Sequence, residues 1–135
     1  MSLEDLSFVV TEDQLNMNRT VDGASWLPLL CQDIKRELSN SAGRDGNKSW
    51  NTWFHFEVTD GDYKGMKLRY NVNEKMEGKG YDMFAAFLGR PLKAGEQIQI
   101  APMVGMKVMG FVEKQPNKED PTRFFNTITK WKPIS

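Results

Sequence analysis

The stretch that most constrains the fold is Trp50 to Val72, WNTWFHFEVTDGDYKGMKLRYNV. Aromatic and β-branched residues crowd its first half, and such side chains suit a pleated, half-buried surface. Asp60-Gly61 supplies a turn, because glycine accepts positive φ without a Cβ clash, and the turn extends through Tyr63-Lys64-Gly65. The pattern predicts a hairpin of Trp50–Val58 and Met66–Val72. Period two then sorts the side chains onto opposite sheet faces. Phe54, Phe56 and Val58 turn inward on the first strand, Trp53 and His55 outward. On the second, Met66, Leu68, Tyr70 and Val72 share one face, and Lys67, Arg69 and Asn71 share the other. A Trp, an imidazole, a Lys and an Arg thus meet on the outer face. Stacking platforms interleaved with cations are what a single-stranded nucleic acid requires.

Elsewhere the pattern is less decisive. Leu3, Leu6, Phe8, Val9 and Val10 are compatible with a short strand. In Ser25–Leu38, Leu27, Leu30, Ile34 and Leu38 fall near helical spacing, with Pro28 tolerable only in a first turn. The same segment also reads as a long strand. Ser39–Ser49 is a Ser/Asn/Gly loop carrying Arg44 and Lys48. Tyr81–Leu88 reads as a short helix with Met83, Phe84, Phe87 and Leu88 on its apolar face, Asp82 near its start and Gly89 at its C′ position. Leu92–Pro102 suggests a short strand or an extended link. Val104–Glu113 predicts a strand with a bulge or bend at Gly110. Lys114–Thr122 is a charged loop carrying Lys114 and Lys118, and Arg123–Trp131 is a last strand ended by Pro133.

With Trp26–Leu38 taken as a strand, the tally is five strands and one helix between the third and fourth. That is the order of an OB-fold, a mainly β, five-stranded Greek-key barrel. The tally decides the ambiguous segment in favour of strand, and it divides the chain into an acidic N-terminal arm, 1–24, and an OB-fold domain, 25–135. Such barrels bind ligand on strands two and three and on the loops joining strands one to two and four to five. A small antiparallel sandwich is the competing architecture.

The hairpin motif Phe56, Val58, Gly61, Tyr63, Gly65 and Leu68, with Gly105 and Val108 and a closing Asn126, Ile128 and Pro133, resembles a family of small phage-encoded proteins, mostly of unknown function. The resemblance spans about residues 26–133. It implies an OB-like fold, a part in phage replication or recombination beside phage or host proteins, single-stranded DNA as the ligand and the cytoplasm of a bacterial host. The matched glycines and apolar residues have structural duties first, with Asn126 suited to a backbone hydrogen bond.

Charge both weakens and localises this reading. Lys and Arg total 18, as do Asp and Glu, so formal net charge is zero. Residues 1–24 hold five acids against Arg19, a balance of −4, leaving +4 on the remainder. The arm reads as a solvated tail, or as a shield over a binding face. One cysteine, Cys31, excludes an intrachain disulfide, and one histidine, His55, excludes a multi-His metal site. No apolar run approaches the roughly 20 residues that span a bilayer, and no secretory signal is visible, so a cytoplasmic protein is expected.

The expected nucleic-acid contacts are Trp53 and His55 by stacking, Lys67 and Arg69 at phosphates, Arg44, Lys48, Lys114 and Lys118 as a basic rim, and Trp131 as a lesser stacking residue. Each has a plainer reading: Trp53 covered by the N-terminal segment, the cations merely solvated. Trp50, at the strand edge, reads as a plug at the barrel end in preference to a stacking residue for ligand. His55 has no nucleophile at a recognisable spacing, and Gly-Lys-Gly at 78–80 lacks P-loop spacing, so a non-enzymatic protein without cofactors is expected. The alternatives are a protein-interaction module on the same fold, with room for a homodimer, and an oligosaccharide-binding barrel.

Overall fold

A computed structural model describes residues 20–39, 42, 46–75 and 78–134. Arg44 and the apolar positions between Leu3 and Val10 lie outside the described residues. The strands are β1 (Ala24–Leu38), β2 (Trp50–Val58), β3 (Lys67–Asn73), β4 (Lys107–Pro116) and β5 (Phe124–Pro133). The helix α1 (Tyr81–Leu88) lies between β3 and β4, and a short 3-10 turn covers Ala101–Met103. No strand forms over Leu92–Pro102, where a Gly95 turn and that 3-10 turn take the backbone instead.

All five strands join one antiparallel sheet in the order β3-β2-β1-β4-β5. β1 is long because it serves two partners. Ala24–Leu30 pairs with β4, and Leu29–Leu38 pairs with β2. The register to β2 shifts between Cys31 and Asp33, next to the handover. There the Cys31 N–H donates to the Met106 carbonyl at 2.9 Å, and the Gly105 N–H donates to the Cys31 carbonyl at 2.8 Å. Sheet pairing along its whole length overrides the helical spacing of its leucines.

The alternation read from the hairpin sets the core. Phe54, Phe56, Val58, Met66 and Leu68 are buried, as are Leu27, Leu29 and Cys31 of β1 and Val108 and Val112 of β4. Burial of each large apolar side chain contributes about 1.5–3 kcal/mol. α1 closes the inner side through Met83, Ala86 and Phe87, while Leu88 stays exposed. Phe87 stacks on Phe56 at 6.2 Å and Phe84 meets Phe54 edge-on at 6.1 Å. Gly89 ends the helix with φ 68°, as a C′ glycine should. Its start is capped by Gly80 and not by Asp82: no side chain bonds the first turn.

Gly110 has a reason other than a bend. A Cβ there would lie 2.6 Å from Leu29 Cδ1 and 3.1 Å from Ile128 Cγ2, so three strands close over a missing side chain. The ladder irregularity falls one residue later, between Phe111 and Val112.

No ladder joins β3 to β5, so the sheet is open and the expected barrel is not closed by hydrogen bonds. The two strands nevertheless lie side by side. Asn126 Nδ2 is 3.7 Å from Met66 Sδ at one end, and Trp131 meets Tyr70 edge-on at 5.0 Å further along. Sequence rises in the same sense on both, so β5 flanks β3 in parallel. Val21 is 1% exposed, and its N–H donates to Asn126 Oδ1 at 3.0 Å; Asp22 N–H donates to the Tyr63 hydroxyl at 2.9 Å. The last residues of the acidic segment are thereby pinned to the domain.

Candidate nucleic-acid interface

The outer face of β2 and β3 runs into the gap between β3 and β5, and together they form a groove of about 910 Å³. Trp53 and His55 line it from β2, Lys67, Arg69 and Asn71 from β3, and Phe125 and Thr127 from β5. Phe56, Leu68, Tyr70 and Ile128 form the apolar floor where the gap opens toward the core. Lys79, before α1, closes one side, its ammonium 5.3 Å from the Tyr70 ring.

The central contact is diagonal. His55 faces Arg69 across the ladder and Trp53 faces Asn71, which carries the Arg69 guanidinium over the Trp53 ring at 4.9 Å. Such a stack is worth about 0.5–1 kcal/mol at an exposed site, and it holds the arginine's planar donors against an aromatic face.

Lys67 is in a different situation. It pairs with Glu57 across the ladder at 3.1 Å and donates to Gln32 Oε1 at 3.1 Å, while Gln32 donates to Glu57 at 2.7 Å. Its charge is largely answered within the protein. Glu57 does not line the groove; among the described residues the lining holds Lys67, Arg69 and Lys79 and no carboxylate. The described lining thus carries cations although the chain has no net charge. The imidazole of His55 is held below its ordinary value, first by burial and then by Lys35 and Arg69, so it is neutral at pH 7.

At the far end of the face, Asn51 accepts from Asn71 at 3.1 Å and from Asn73 at 2.7 Å, and Asn73 also donates to Ser49 at 2.8 Å. Asn71 Oδ1 is buried with no donor in reach.

The other expected contacts are not gathered here. Lys48 is exposed on the β1–β2 connection, and Lys118 on the β4–β5 connection, both away from the lining. Lys114 lies 4.3 Å over the Phe124 ring, beside the groove but not in it. Trp131 is a correction. It packs on Phe56 at 5.5 Å and on Tyr70 at 5.0 Å, and the register places it on the inner face with Gly110. Trp50 is no plug: it is 40% exposed, with the Arg36 guanidinium 4.7 Å over its ring.

Gln32, Lys79 and Phe125 escaped the sequence reading. Gln32 sits in the bulge that shifts β1 parity, and Phe125 and Lys79 reach the groove only through the neighbouring of β3 and β5.

Among the described residues, no three His, Cys, Asp or Glu side chains gather as a metal site, and no helix is long and apolar enough to cross a membrane. The chain matches no family model, no curated protein and no solved structure.

Proposed function

We propose that this is a non-enzymatic single-stranded DNA-binding protein on an OB-type barrel, acting in the cytoplasm of a bacterial host. The observation that carries the reading is the groove itself: Arg69 stacked on Trp53, with Tyr70, Phe125 and Lys79 around it and, among the described residues, no carboxylate in the lining. Aromatic planes take bases without regard to sequence, and the cations take the backbone. The strand order and the parallel neighbouring of β3 and β5 support the barrel, which the short helix between β3 and β4 also fits. A setting in phage replication or recombination rests on the motif resemblance alone.

The test is a polarisation titration of a labelled mixed-sequence single strand at low and moderate salt, with duplex DNA and single-stranded RNA as competitors. Binding should saturate, weaken with salt and resist duplex competitor. Absence of binding at low salt, in the whole chain and in a chain lacking residues 1–19, would overturn the reading. A protein-interaction module would then take its place, on the strength of Phe124 and Phe125, which are 47% and 44% exposed at the start of β5.

A further inference from the structure

The outer surface of the sheet does not end at the groove. Phe125 and Thr127, which form its β5 wall, pair with Gln115 and Glu113 of β4. Further along the same ladder, on the same face, Lys130 pairs with Phe111 and Lys132 with Met109. Across β4, Phe111 faces Trp26, Met109 faces Pro28 and Lys107 faces Leu30. The groove wall is therefore continuous with a second aromatic and cationic surface on β5, β4 and the first half of β1.

Its composition repeats that of the groove. The Trp26 and Phe111 rings lie 5.3 Å apart, tilted by 56°. Lys132 Nζ sits 4.3 Å from the Trp26 ring, and Lys130 Nζ 5.2 Å from that of Phe111. Trp26 and Phe111 are half-buried, while Lys107, Lys130 and Lys132 are exposed. Among the described residues none of these three lysines forms an ion pair, and Glu113 is the single carboxylate on the face. Solvation alone accounts for charged side chains on an outward half-sheet but not for aromatic rings beneath them. This one presents two ring systems under unneutralised ammonium groups, which is surplus positive charge with stacking surface beneath it.

We infer that the β1–β4–β5 outer face is a second subsite for the same strand: single-stranded nucleic acid leaving the groove over β5 contacts Lys130 and Lys132 through its phosphates and stacks on Phe111 and Trp26. The inference rests on the single-strand reading and extends it, because a strand short enough to fill only the groove does not reach this face.

The experiment compares strands of about 8 and about 30 nucleotides, a range chosen around the usual 4–16 nucleotides per barrel. It uses the full chain and a Lys130→Gln/Lys132→Gln variant, whose exposed substitutions leave the core intact. The variant should bind the long strand at least fivefold more weakly and the short strand within twofold of the parent. Its log–log salt slope for the long strand should flatten by roughly 1.4, at about 0.7 for each phosphate no longer neutralised. A Trp26→Phe variant, which keeps most of the ring's bulk, should lose the part of the tryptophan quenching that only the long strand produces. Equal effects on both lengths, or none on either, overturn the second subsite while leaving the groove standing. Failure of the parent chain to bind either strand overturns the single-strand reading itself, and the extension with it.

Discussion

At the scale of single residues, the two cations on β3 look alike in the sequence and differ in the structure. Arg69 is stacked and exposed, whereas Lys67 is tied to Glu57 and Gln32. Arg69→Gln should therefore flatten the salt dependence of single-strand binding by roughly 0.7, and Lys67→Gln by clearly less. Equal slopes for the two variants would refute the distinction. Trp53→Ala should cost about 1–3 kcal/mol of binding with little change in unfolding midpoint, since the ring lies on the outer face. His55 carries the pH dependence. Its folded value lies below the ordinary 6.5, so the unfolded chain takes up the proton first as pH falls. Stability from this group is fully present above about pH 6.5 and is lost as pH drops toward the folded value. A phosphate brought close favours the imidazolium, so affinity should rise between pH 7.5 and 6, and His55→Gln should remove that part of the rise. Cys31 is the opposite case: burial pushes its thiol up to about 11. The thiol should resist labelling at neutral pH until the chain unfolds.

At the scale of elements, packing and not backbone freedom explains Gly110. Gly110→Ala sets a methyl against Leu29 and Ile128 at the junction of β1, β4 and β5, and should cost roughly 1–3 kcal/mol by denaturant titration. Gly89 is the contrasting glycine. Its φ is 68° and no heavy atom lies within 4 Å of where a methyl would sit, so Gly89→Ala should cost about 1 kcal/mol through strain alone. The helix shows how far local signals reach. Its limits, Tyr81 to Leu88, follow from the periodic apolar residues and Gly89. The cap at Gly80 was invisible, because a glycine N-cap offers no side chain to recognise. The hairpin was legible in both strands and in facing, since an uninterrupted alternation leaves one assignment that buries Phe54, Phe56 and Leu68 together. β1 was legible only through its neighbours, its leucine spacing fitting either period.

At the scale of the whole molecule, β1 is the spine, bonded to β2 along one part and β4 along the other. Among the described residues, the outer edges of β3 and β5 have no ladder partner. Amide hydrogen exchange should reflect this, with the slowest amides on β1 around Leu29 and Leu30 and fast exchange along the β3 and β5 edges. Protection on β3 and β5 equal to that on β1 would mean that the gap closes in solution.

The sequence by itself determined the elements whose periodicity is strong, the inward and outward sides of the hairpin, and the meeting of Trp53, His55, Lys67 and Arg69 on one face. These follow from neighbours two residues apart on a strand or directly opposite in a hairpin, where geometry is fixed by local chemistry. Only the tertiary structure decided that Lys67 is neutralised, that Trp131 turns inward, that Lys79 and Phe125 join the groove, and that the sheet stays open between β3 and β5. Each of these depends on which distant strands lie side by side and in what register. A bulge such as Thr129, which β5 inserts opposite Phe111 and Val112, changes parity at the cost of one residue, and no local pattern records it.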